Sequence, residues 1–387
     1  MCDLTCVSWN IMAPVPTPIR YTGQVERMER IPTVFAEQLD NIKFADICVV
    51  QESIVNDLHV RLRKGMQRIG FVYETKQLVG SIMRFKIVQG GVVIFSRFPI
   101  VRQDTVIFEG LCDKEDCLAA KGAVYAEVKK GNHLFHIFAL HLNSWESPKS
   151  RAVRRGQMAE VYKFIQRQNI PSDEPVVMMG DFNVDLYSEQ RQLKALCDIV
   201  KFGMLSRHKD THAFTSDPMT NQLMGIDDTS AYSSDAFPGG CSEEYIRTLH
   251  CVCCPQEWLD HALYSREHSK LDITKSWTRV VPVKAIPFTV NLTFTTKREI
   301  TDLSDHYPII SYYVFPDAKE RPFIDVGEDN DGFISSDEFT QQIHDMDKLP
   351  VGLKIVPVVG FIILGIAFLL VLIISCWYLR KWNNENL

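Results

Sequence analysis

The chain has 387 residues, of which 46% are hydrophobic and 23% are charged, and its formal net charge is −6. This composition is ordinary for a globular protein with one large core and some additional segments. The negative charge counts against a protein that binds nucleic acid through a broad basic face. We therefore expect no nucleic-acid partner, although a local basic patch stays open, and the composition does not indicate an oligomeric state.

Five segments along the chain each combine a short apolar run, the pattern of a buried strand, with a polar side chain at one end. The first four runs end in Asn10, Glu52, His141 and Asp181, and the fifth, at 309–314, follows Ser304-Asp305-His306. The segment Glu257-Trp258-Leu259-Asp260-His261 lies between the fourth and the fifth. The pattern predicts that several polar groups collect at the ends of strands.

The fourth run continues into Gly180-Asp181-Phe182-Asn183. Side chains at positions i and i+2 past a strand project to one side, so the Asp181 carboxylate and the Asn183 carboxamide face the same way. Oxygen ligands of this kind suit Mg²⁺ or Ca²⁺. Gly, Asp and Asn are also ordinary turn residues, so this segment taken alone leaves a simple turn open.

The periodicity of apolar residues predicts four helices and many strands. The helices fall at 25–43, 56–68, 149–168 and 188–200, and the further strands at 71–75, 83–88, 91–96, 105–108, 122–129, 133–140, 176–179, 261–264, 277–283, 288–295 and 309–315. Many strands with interspersed helices favour an α/β fold of two packed sheets flanked by helices.

As a set, the Trp-Asn, Gln-Glu, Gly-Asp-Phe-Asn and Ser-Asp-His motifs resemble those of the endonuclease/exonuclease/phosphatase superfamily over roughly residues 4–315. The resemblance implies a four-layer α/β sandwich of two mixed sheets flanked by helices. It also implies a metal-dependent phosphodiesterase, with the catalytic domain at 1–316.

Within the superfamily, several segments look like those of the neutral sphingomyelinases, among them 90–100, 120–125 and Trp258-Leu259-Asp260. Inositol polyphosphate 5-phosphatases share the Gly-Asp-x-Asn and Ser-Asp-His pieces. Their Pro-Ala-Trp-Cys-Asp-Arg motif is absent, and 256–260 stands in its place.

The resemblance and the chemistry of phosphodiester cleavage together suggest a role for each polar group. Glu52 is the expected Mg²⁺ ligand, with Asn10 at the same metal or its water and Asp305 on the metal side. His306 is the expected general base, because imidazole titrates near the working pH, and Asp260 holds its ring. The other expected catalytic residues are Asp181 and Asn183 for the attacking water and a phosphoryl oxygen, His141 for the phosphoryl group or the leaving alkoxide, and Lys121 for positive charge.

The predicted reaction is Mg²⁺-dependent hydrolysis of sphingomyelin to ceramide and phosphocholine. The alternatives within the superfamily are a phosphatase of inositol polyphosphates or phosphoinositides and a nuclease. A catalytically dead membrane adaptor is a third alternative, and the presence of every predicted ligand counts against it.

Residues 276–296 are rich in apolar side chains and contain two prolines that oppose regular strand pairing. Bacterial sphingomyelinases have an apolar hairpin at this location, just before the Ser-Asp-His motif. We expect a lipid-contacting segment with Ile286 and Phe288 as membrane contacts, and an ordinary pair of core strands is the alternative.

The segment 317–347 is predicted to be an acidic linker with an EF-hand-like loop. Its expected Ca²⁺ ligands are Asp329, Asp331, Phe333 through its carbonyl, and Glu338. The first ligand position falls on Gly327, which has no side-chain oxygen, so a linker without Ca²⁺ is the alternative.

Residues 355–379 form an uncharged, mostly apolar run that would span about 37 Å as a helix, enough to cross a bilayer. It predicts a single-pass membrane anchor with a short tail at 380–387. The first residues lack the pattern of a signal peptide, which favours a cytosolic catalytic domain, although Arg380 and Lys381 favour the opposite topology.

The 11 cysteines are an odd number and fit mostly reduced thiols in the cytosol. Cys112 and Cys117 could form a bridge in an oxidising compartment. A zinc site near 250–254 is a weaker alternative, because the spacing of its cysteines matches no standard pair.

Overall fold

A computed structural model describes residues 2–13, 22–79, 86, 88–224, 256–291 and 297–321. Its strands are β1 (Cys2–Ala13), β2 (Ile47–Ser53), β3 (Tyr73–Glu74), β4 (Val93–Ser96), β5 (Ile100–Ile107), β6 (Gly122–Lys130), β7 (His133–His141), β8 (Val176–Asp181), β9 (Phe202–Met204), β10 (Asp260–Ser265), β11 (Trp277–Val280), β12 (Phe288–Asn291), β13 (Lys297–Ile300) and β14 (Ile309–Phe315). Its helices are α1 (Gln24–Val34), α2 (Asn56–Arg68), α3 (Pro148–Arg167) and α4 (Gln190–Val200).

The strands form two six-stranded sheets and one small hairpin. The first sheet has the order β11-β14-β1-β2-β4-β3, the second has the order β5-β6-β7-β8-β10-β9, and β12 pairs with β13. Both large sheets are mixed, because β1 pairs with β2 and β7 with β8 in parallel while their other neighbours are antiparallel. A parallel pair needs a crossover connection, and α1 and α3 lie in these two connections.

Alternating burial in β2 shows how the layers of the first sheet arise. Ile47 and Val49 pack in a core that also contains residues of the second sheet. Cys48 and Val50 point to the other face, where they join a core with residues of α1 and α2. Successive side chains of a strand face opposite ways, so a fully apolar strand is one that is covered on both sides.

The second sheet is covered in the same way. Val177 and Met179 of β8 lie in the core between the sheets, while Val176 and Met178 lie in a third core with residues of α3 and α4. The resulting order is helices, sheet, sheet, helices. This confirms the α/β fold with two mixed sheets flanked by helices that the sequence predicts.

Several predicted elements differ in their bounds from the observed ones, most of all one helix and one strand. The helix predicted at 25–43 is shorter, since α1 ends at Val34 and continues as a π-helical turn over Phe35–Leu39. Pro32 lies in the last turn of α1 and lacks a backbone N–H, which weakens the regular hydrogen-bond ladder there. The strand predicted at 105–108 begins earlier, at Ile100, and reaches Ile107.

Other predictions fall outside the described residues. These are the apolar run at 355–379, the EF-hand-like loop with Asp329, Asp331, Phe333 and Glu338, the cysteines at 251–254, and most of the strand at 83–88. Within the described part of the chain, no helix combines the length and the apolar character needed to cross a bilayer.

The bridge between Cys112 and Cys117 that the sequence left open is formed, with a Cα–Cα distance of 5.0 Å. The bond closes a short loop just before β6. The free cysteines in the described residues are Cys2, Cys6, Cys48 and Cys197, and all of them are buried.

Candidate active site

Three neighbouring strands of the second sheet bring three polar side chains into one row. His141 at the end of β7 is paired in register with Asp181 at the end of β8. Asp181 is paired in turn with Asp260, the first residue of β10. The strand register therefore places these three predicted site residues side by side, and all three are buried.

Gly180 allows β8 to reach this row. A Cβ atom at this position would lie 2.0 Å from the backbone oxygen of Leu140 in β7, a distance that no side chain can adopt. After Asp181 the chain turns, and Asn183 takes a left-handed conformation with φ of 50°. The Asn183 backbone N–H donates to Oδ1 of Asp181 at 2.8 Å, which fixes the carboxylate relative to the turn.

The first sheet contributes Asn10 and Glu52 from its parallel pair. Asn10 of β1 is in register with Gln51 of β2, so Glu52 lies one residue further along. Glu52 has a left-handed backbone with φ of 60°. Gly91 lies against it, and a Cβ atom on Gly91 would come within 2.9 Å of the Glu52 Cα atom. The strained turn at Glu52 is thus accommodated by a glycine of the loop before β4.

Asn10 joins the two sheets. Its Nδ2 donates to Oε1 of Glu52 at 3.0 Å and to Oδ2 of Asp181 at 3.0 Å. Its Oδ1 accepts from the backbone N–H of Met12 at 3.1 Å. The amide therefore presents its nitrogen to the two carboxylates. Contact of Asn10 with the metal or with its water stays a prediction, since the hydrogen bond from Met12 uses only one lone pair of Oδ1.

The Ser-Asp-His motif is tied to the end of β1. The Ser304 hydroxyl donates to the backbone oxygen of Asn10 at 2.5 Å, and it also contacts Oδ1 of Asp305 at 3.1 Å. The indole Nε1 of Trp9 donates to the backbone oxygen of His306 at 2.9 Å. These bonds set Asp305 and His306 beside Asn10 at the mouth between the sheets.

His306 and Asp260 form a buried pair. The distance from His306 Nδ1 to Asp260 Oδ2 is 2.8 Å, and the other ring nitrogen, Nε2, lies 4.0 Å from Oδ2 of Asp181. Burial alone lowers the pKa of His306, but the Asp260 carboxylate, with Asp305 and Asp181 nearby, raises it well above its usual value. The geometry is that of an imidazole whose orientation is set by one carboxylate while it faces another.

Lys121 lies beside His141. Its Nζ is 3.2 Å from Nε2 of His141, donates to the backbone oxygen of Leu142 at 2.6 Å, and is 3.0 Å from Oδ2 of Asp116. Burial and the Lys121 charge lower the pKa of His141 to about 3. His141 is therefore neutral at neutral pH, with Lys121 supplying the positive charge at this side of the site.

Glu52 and Asp305 form the acidic side of the site. Among the described residues, neither carboxylate takes part in an ion pair with Lys or Arg. Burial, together with the negative charge of Asp305, raises the pKa of Glu52 to about 7. Two neighbouring carboxylates without an ion pair to Lys or Arg fit a divalent cation such as Mg²⁺, because the cation removes their repulsion.

A second set of atoms is also close enough to bind a cation. One ligand atom each of Asp181, Asp260 and His306 lies within 4.8 Å of the others. Here, however, the 2.8 Å hydrogen bond already pairs His306 with Asp260. The site thus offers two sets of groups that could hold a cation, Glu52 with Asp305 and Asp181 with Asp260 and His306.

The sequence did not single out several residues that complete the site. Ser304 and Trp9 lie inside recognised motifs, so the motifs themselves carried that signal. Asp116 has no local pattern, and its contact with Lys121 depends on how the loop before β6 folds. Glu257 is half-buried, and burial together with Asp185 and Glu146 raises its pKa to about 7. The sequence signal for Glu257 is its position in the same short motif as Trp258 and Asp260.

The two expected membrane contacts differ in exposure. Ile286 is 84% exposed, whereas Phe288 is only 6% exposed. The Phe288 ring lies under the guanidinium of Arg30, with its centroid 4.4 Å away, and belongs to the core that contains α1. The expectation that Phe288 contacts lipid is wrong in this structure, because its side chain packs inside.

Comparison with known proteins agrees with this geometry. The model of the endonuclease/exonuclease/phosphatase family matches residues 7–306. A sphingomyelinase C of Listeria ivanovii is 26% identical over 313 residues, covering 75% of this chain and 80% of its own length. One from Bacillus cereus is 27% identical over 304 residues, covering 74% and 81%.

Among solved structures, a beta toxin variant from Staphylococcus aureus with bound magnesium ions has a TM-score of 0.66 at 24% identity. The alignment covers 80% of this chain and 99% of the toxin chain. The fold, the row of site residues and the family match lead to one class of hydrolase. The chain belongs to the endonuclease/exonuclease/phosphatase family.

Proposed function

We propose that this protein is a Mg²⁺-dependent phosphodiesterase that hydrolyses sphingomyelin to ceramide and phosphocholine. The observation that carries the proposal is the arrangement around Asp181. The His306–Asp260 pair lies on one side of this carboxylate, and Asn10 links it to Glu52 on the other. A proton-accepting group and a cation site thus meet at one point.

Different residues of the site have different roles in hydrolysis. His306, held by Asp260, accepts a proton from the attacking water. Asp181 and Asn183 orient that water and a phosphoryl oxygen. Neutral His141 and the Lys121 ammonium bind the phosphoryl group, because a histidine with a pKa of about 3 is a poor proton donor at neutral pH. The ceramide oxygen takes a proton from solvent water as it leaves, and His306 afterwards returns its own proton to solvent. Glu52 and Asp305 would hold Mg²⁺, which would neutralise charge on the phosphoryl oxygens.

The choice of substrate rests on the relatives. Those from Listeria ivanovii and Bacillus cereus carry the name sphingomyelinase C, and a relative from Staphylococcus aureus that is 25% identical is a phospholipase C. The choice of metal draws on the magnesium ions bound in the beta toxin structure and on the acidic pair of Glu52 and Asp305. The names of the relatives support a phosphodiester in a membrane lipid, and the magnesium ions and the acidic pair support the metal.

Release of phosphocholine from sphingomyelin vesicles, with Mg²⁺ or with EDTA, tests the proposal. Replacing His306 by Ala should lower kcat by about 10²–10⁴-fold, the usual contribution of a general base. His133→Ala is the matched control, because His133 begins the strand that His141 ends, about 26 Å away. Equal activity of wild type and His306→Ala, or full activity in EDTA, would contradict the mechanism.

A substrate panel separates the alternatives. The wild type should release product from sphingomyelin and not from inositol polyphosphates, phosphoinositides or DNA. Cleavage of one of these without cleavage of sphingomyelin would replace the proposed substrate and leave the assigned site intact.

We also propose that residues 355–379 anchor the enzyme in a membrane and that the loop at 325–340 binds Ca²⁺ weakly. Truncation at residue 321 should release the protein from the membrane fraction and abolish any Ca²⁺ heat in calorimetry; unchanged results would refute each proposal.

The cytosolic location of the catalytic domain is a further proposal. Alkylation of Cys112 and Cys117 in cells without reductant would support it, whereas protection by the disulfide would place the domain in an oxidising compartment.

A further inference from the structure

Arg27 of α1 is fully buried, and its guanidinium donates to several backbone oxygens. At least five hydrogen bonds hold it, and they involve all three of its nitrogen atoms. The acceptors are the oxygens of Thr22 at 3.0 Å, Ile11 at 2.9 Å, Leu303 at 2.8 Å and Met12 at 2.5 Å, and the hydroxyl of Thr22 at 3.1 Å.

Three of these acceptors flank the metal side of the site. Ile11 and Met12 directly follow Asn10, and Leu303 directly precedes the Ser-Asp-His motif. One side chain therefore joins the end of β1 to the segment that carries Asp305. The hydroxyl of Ser304 makes a second link between the same two segments through the oxygen of Asn10.

The bend after Asn10 depends on this contact. Met12 has a left-handed backbone with φ of 45°, which is unfavourable for a residue with a side chain. Its N–H donates to Oδ1 of Asn10, and the oxygen of the same peptide unit, that of Ile11, accepts from Arg27. The next carbonyl oxygen, that of Met12, also accepts from Arg27. Arg27 thus fixes the peptide that in turn orients the Asn10 amide toward Glu52 and Asp181.

We propose that Arg27 is a positioning residue for the metal side of the site. It sets the separation between Glu52, reached through Asn10, and Asp305, and so determines how tightly the site holds Mg²⁺. The inference rests on the proposed metal-dependent function but not on the identity of the substrate.

Lysine cannot replace the guanidinium in this role. Arginine presents five donors in a rigid planar fork, whereas lysine presents three donors from one point on a flexible stem. Arg27→Lys keeps the positive charge but cannot hold both backbone segments at once. The variant separates the geometry of the fork from the charge alone.

We expect Arg27→Lys to raise the Mg²⁺ concentration for half-maximal activity by about tenfold or more, as loss of supporting contacts around a metal typically does. The rise in Tm that Mg²⁺ produces at a fixed concentration should shrink in parallel. Arg97→Lys is the matched control. Arg97 also binds backbone oxygens, those of Ala45 and Ile69, but lies at the opposite end of β2 from Glu52.

Arg97→Lys should lower Tm with and without Mg²⁺ alike and leave the Mg²⁺ dependence unchanged. If both variants shift the Mg²⁺ dependence equally, or if neither does, Arg27 has only a general structural role and the proposal is wrong.

Hydrogen exchange of the wild-type protein gives a test that does not depend on the folding of a variant. Adding Mg²⁺ without any lipid should slow exchange in the first turns of α1, at 24–31, as well as around Asn10 and Asp305. Protection confined to the peptides of the ligands would overturn the proposal. Mg²⁺-linked protection in a protein that does not cleave sphingomyelin would overturn the proposed substrate and leave Arg27 in its role.

Discussion

The two sides of the site are stabilised in opposite ways. On one side, His306, Asp260 and Lys121 each have a partner of opposite character at hydrogen-bond distance. On the other side, Glu52 and Asp305 repel each other, and burial together with this repulsion raises the pKa of Glu52 to about 7. Asn10, a neutral amide, lies between the two sides and contacts both.

Under the proposed function, this difference separates the groups that the chain itself orients from the groups that would need a ligand. A group that transfers a proton needs a fixed orientation, and the hydrogen bond between His306 and Asp260 supplies it. Groups that would bind a cation need negative charge, and Glu52 and Asp305 keep that charge at a cost in stability.

The largest effect is expected from a substitution in the pair of Asp260 and His306. Asp260→Asn should lower kcat by about 10²–10⁴-fold, because the amide no longer supplies the negative charge that orients His306 and stabilises its protonated form. The acid limb of the pH–rate profile should move to lower pH, since Asp260 is the main group that raises the pKa of His306.

Asp217→Asn provides the control for this experiment. Asp217 also pairs with a histidine, His212, at 2.9 Å, but outside the row of site residues. Its replacement should reduce Tm while changing kcat by less than about threefold, as expected for a group that makes no contact with reacting atoms. Similar losses of kcat in the two variants would mean that Asp260 acts on stability alone.

A smaller effect is expected from relieving the charge repulsion between Glu52 and Asp305. Glu52→Gln removes one of the two repelling charges, so in EDTA at pH 8 its Tm should exceed that of the wild type by a few degrees. The same variant should lose the rise in Tm that Mg²⁺ gives the wild type. A variant that is less stable than the wild type in EDTA and still responds to Mg²⁺ would contradict the assignment of Glu52.

The pH dependence of the metal-free wild type has a defined sign. The folded protein keeps the proton of Glu52 up to about pH 7, whereas the unfolded chain loses it near the ordinary pKa of 4.5. Between these pH values unfolding releases a proton, so the contribution of Glu52 to stability falls as pH rises and is level outside that window. Chemical denaturation in EDTA from pH 4.5 to 8 measures this, and Glu52→Gln should remove the slope.

The smallest effect is expected outside the active site, at an exposed side chain that would bind the enzyme to its lipid substrate. Ile286→Asp should weaken binding to sphingomyelin vesicles by about tenfold, because one exposed apolar side chain is lost. Hydrolysis of a soluble nitrophenyl phosphorylcholine should not change. Ile273→Asp is the control, since Ile273 is also exposed, at 62%, but lies in another loop. Equal vesicle binding of the two variants would exclude a specific lipid contact at Ile286.

Much of the fold and of the candidate site could be predicted from the sequence. The apolar runs that end in Asn10, Glu52, His141 and Asp181 are strands covered on both faces, so they are visible as short patterns. The motifs at their ends identified the family and most of the residues that meet in the site. The layer order followed from the number and spacing of the elements.

The remaining features depend on contacts that no short segment encodes. The burial of Phe288 comes from packing against α1 and Arg30, which are far away in sequence. The Asn10 amide points its nitrogen at the carboxylates because of the bend at Met12, and that bend depends on Arg27. The bond between Cys112 and Cys117 follows from the path of one loop.

The links across the site also have a consequence for how the chain acquires activity during folding. Trp9 and His306 are bonded across 297 positions in sequence, and Asn10 and Asp181 across 171. Contacts of such separation form late, because a long loop must close before they stabilise anything. Recovery of hydrolysis after dilution from denaturant should therefore lag behind the recovery of secondary structure. The return of enzymatic activity then reports the last steps of folding.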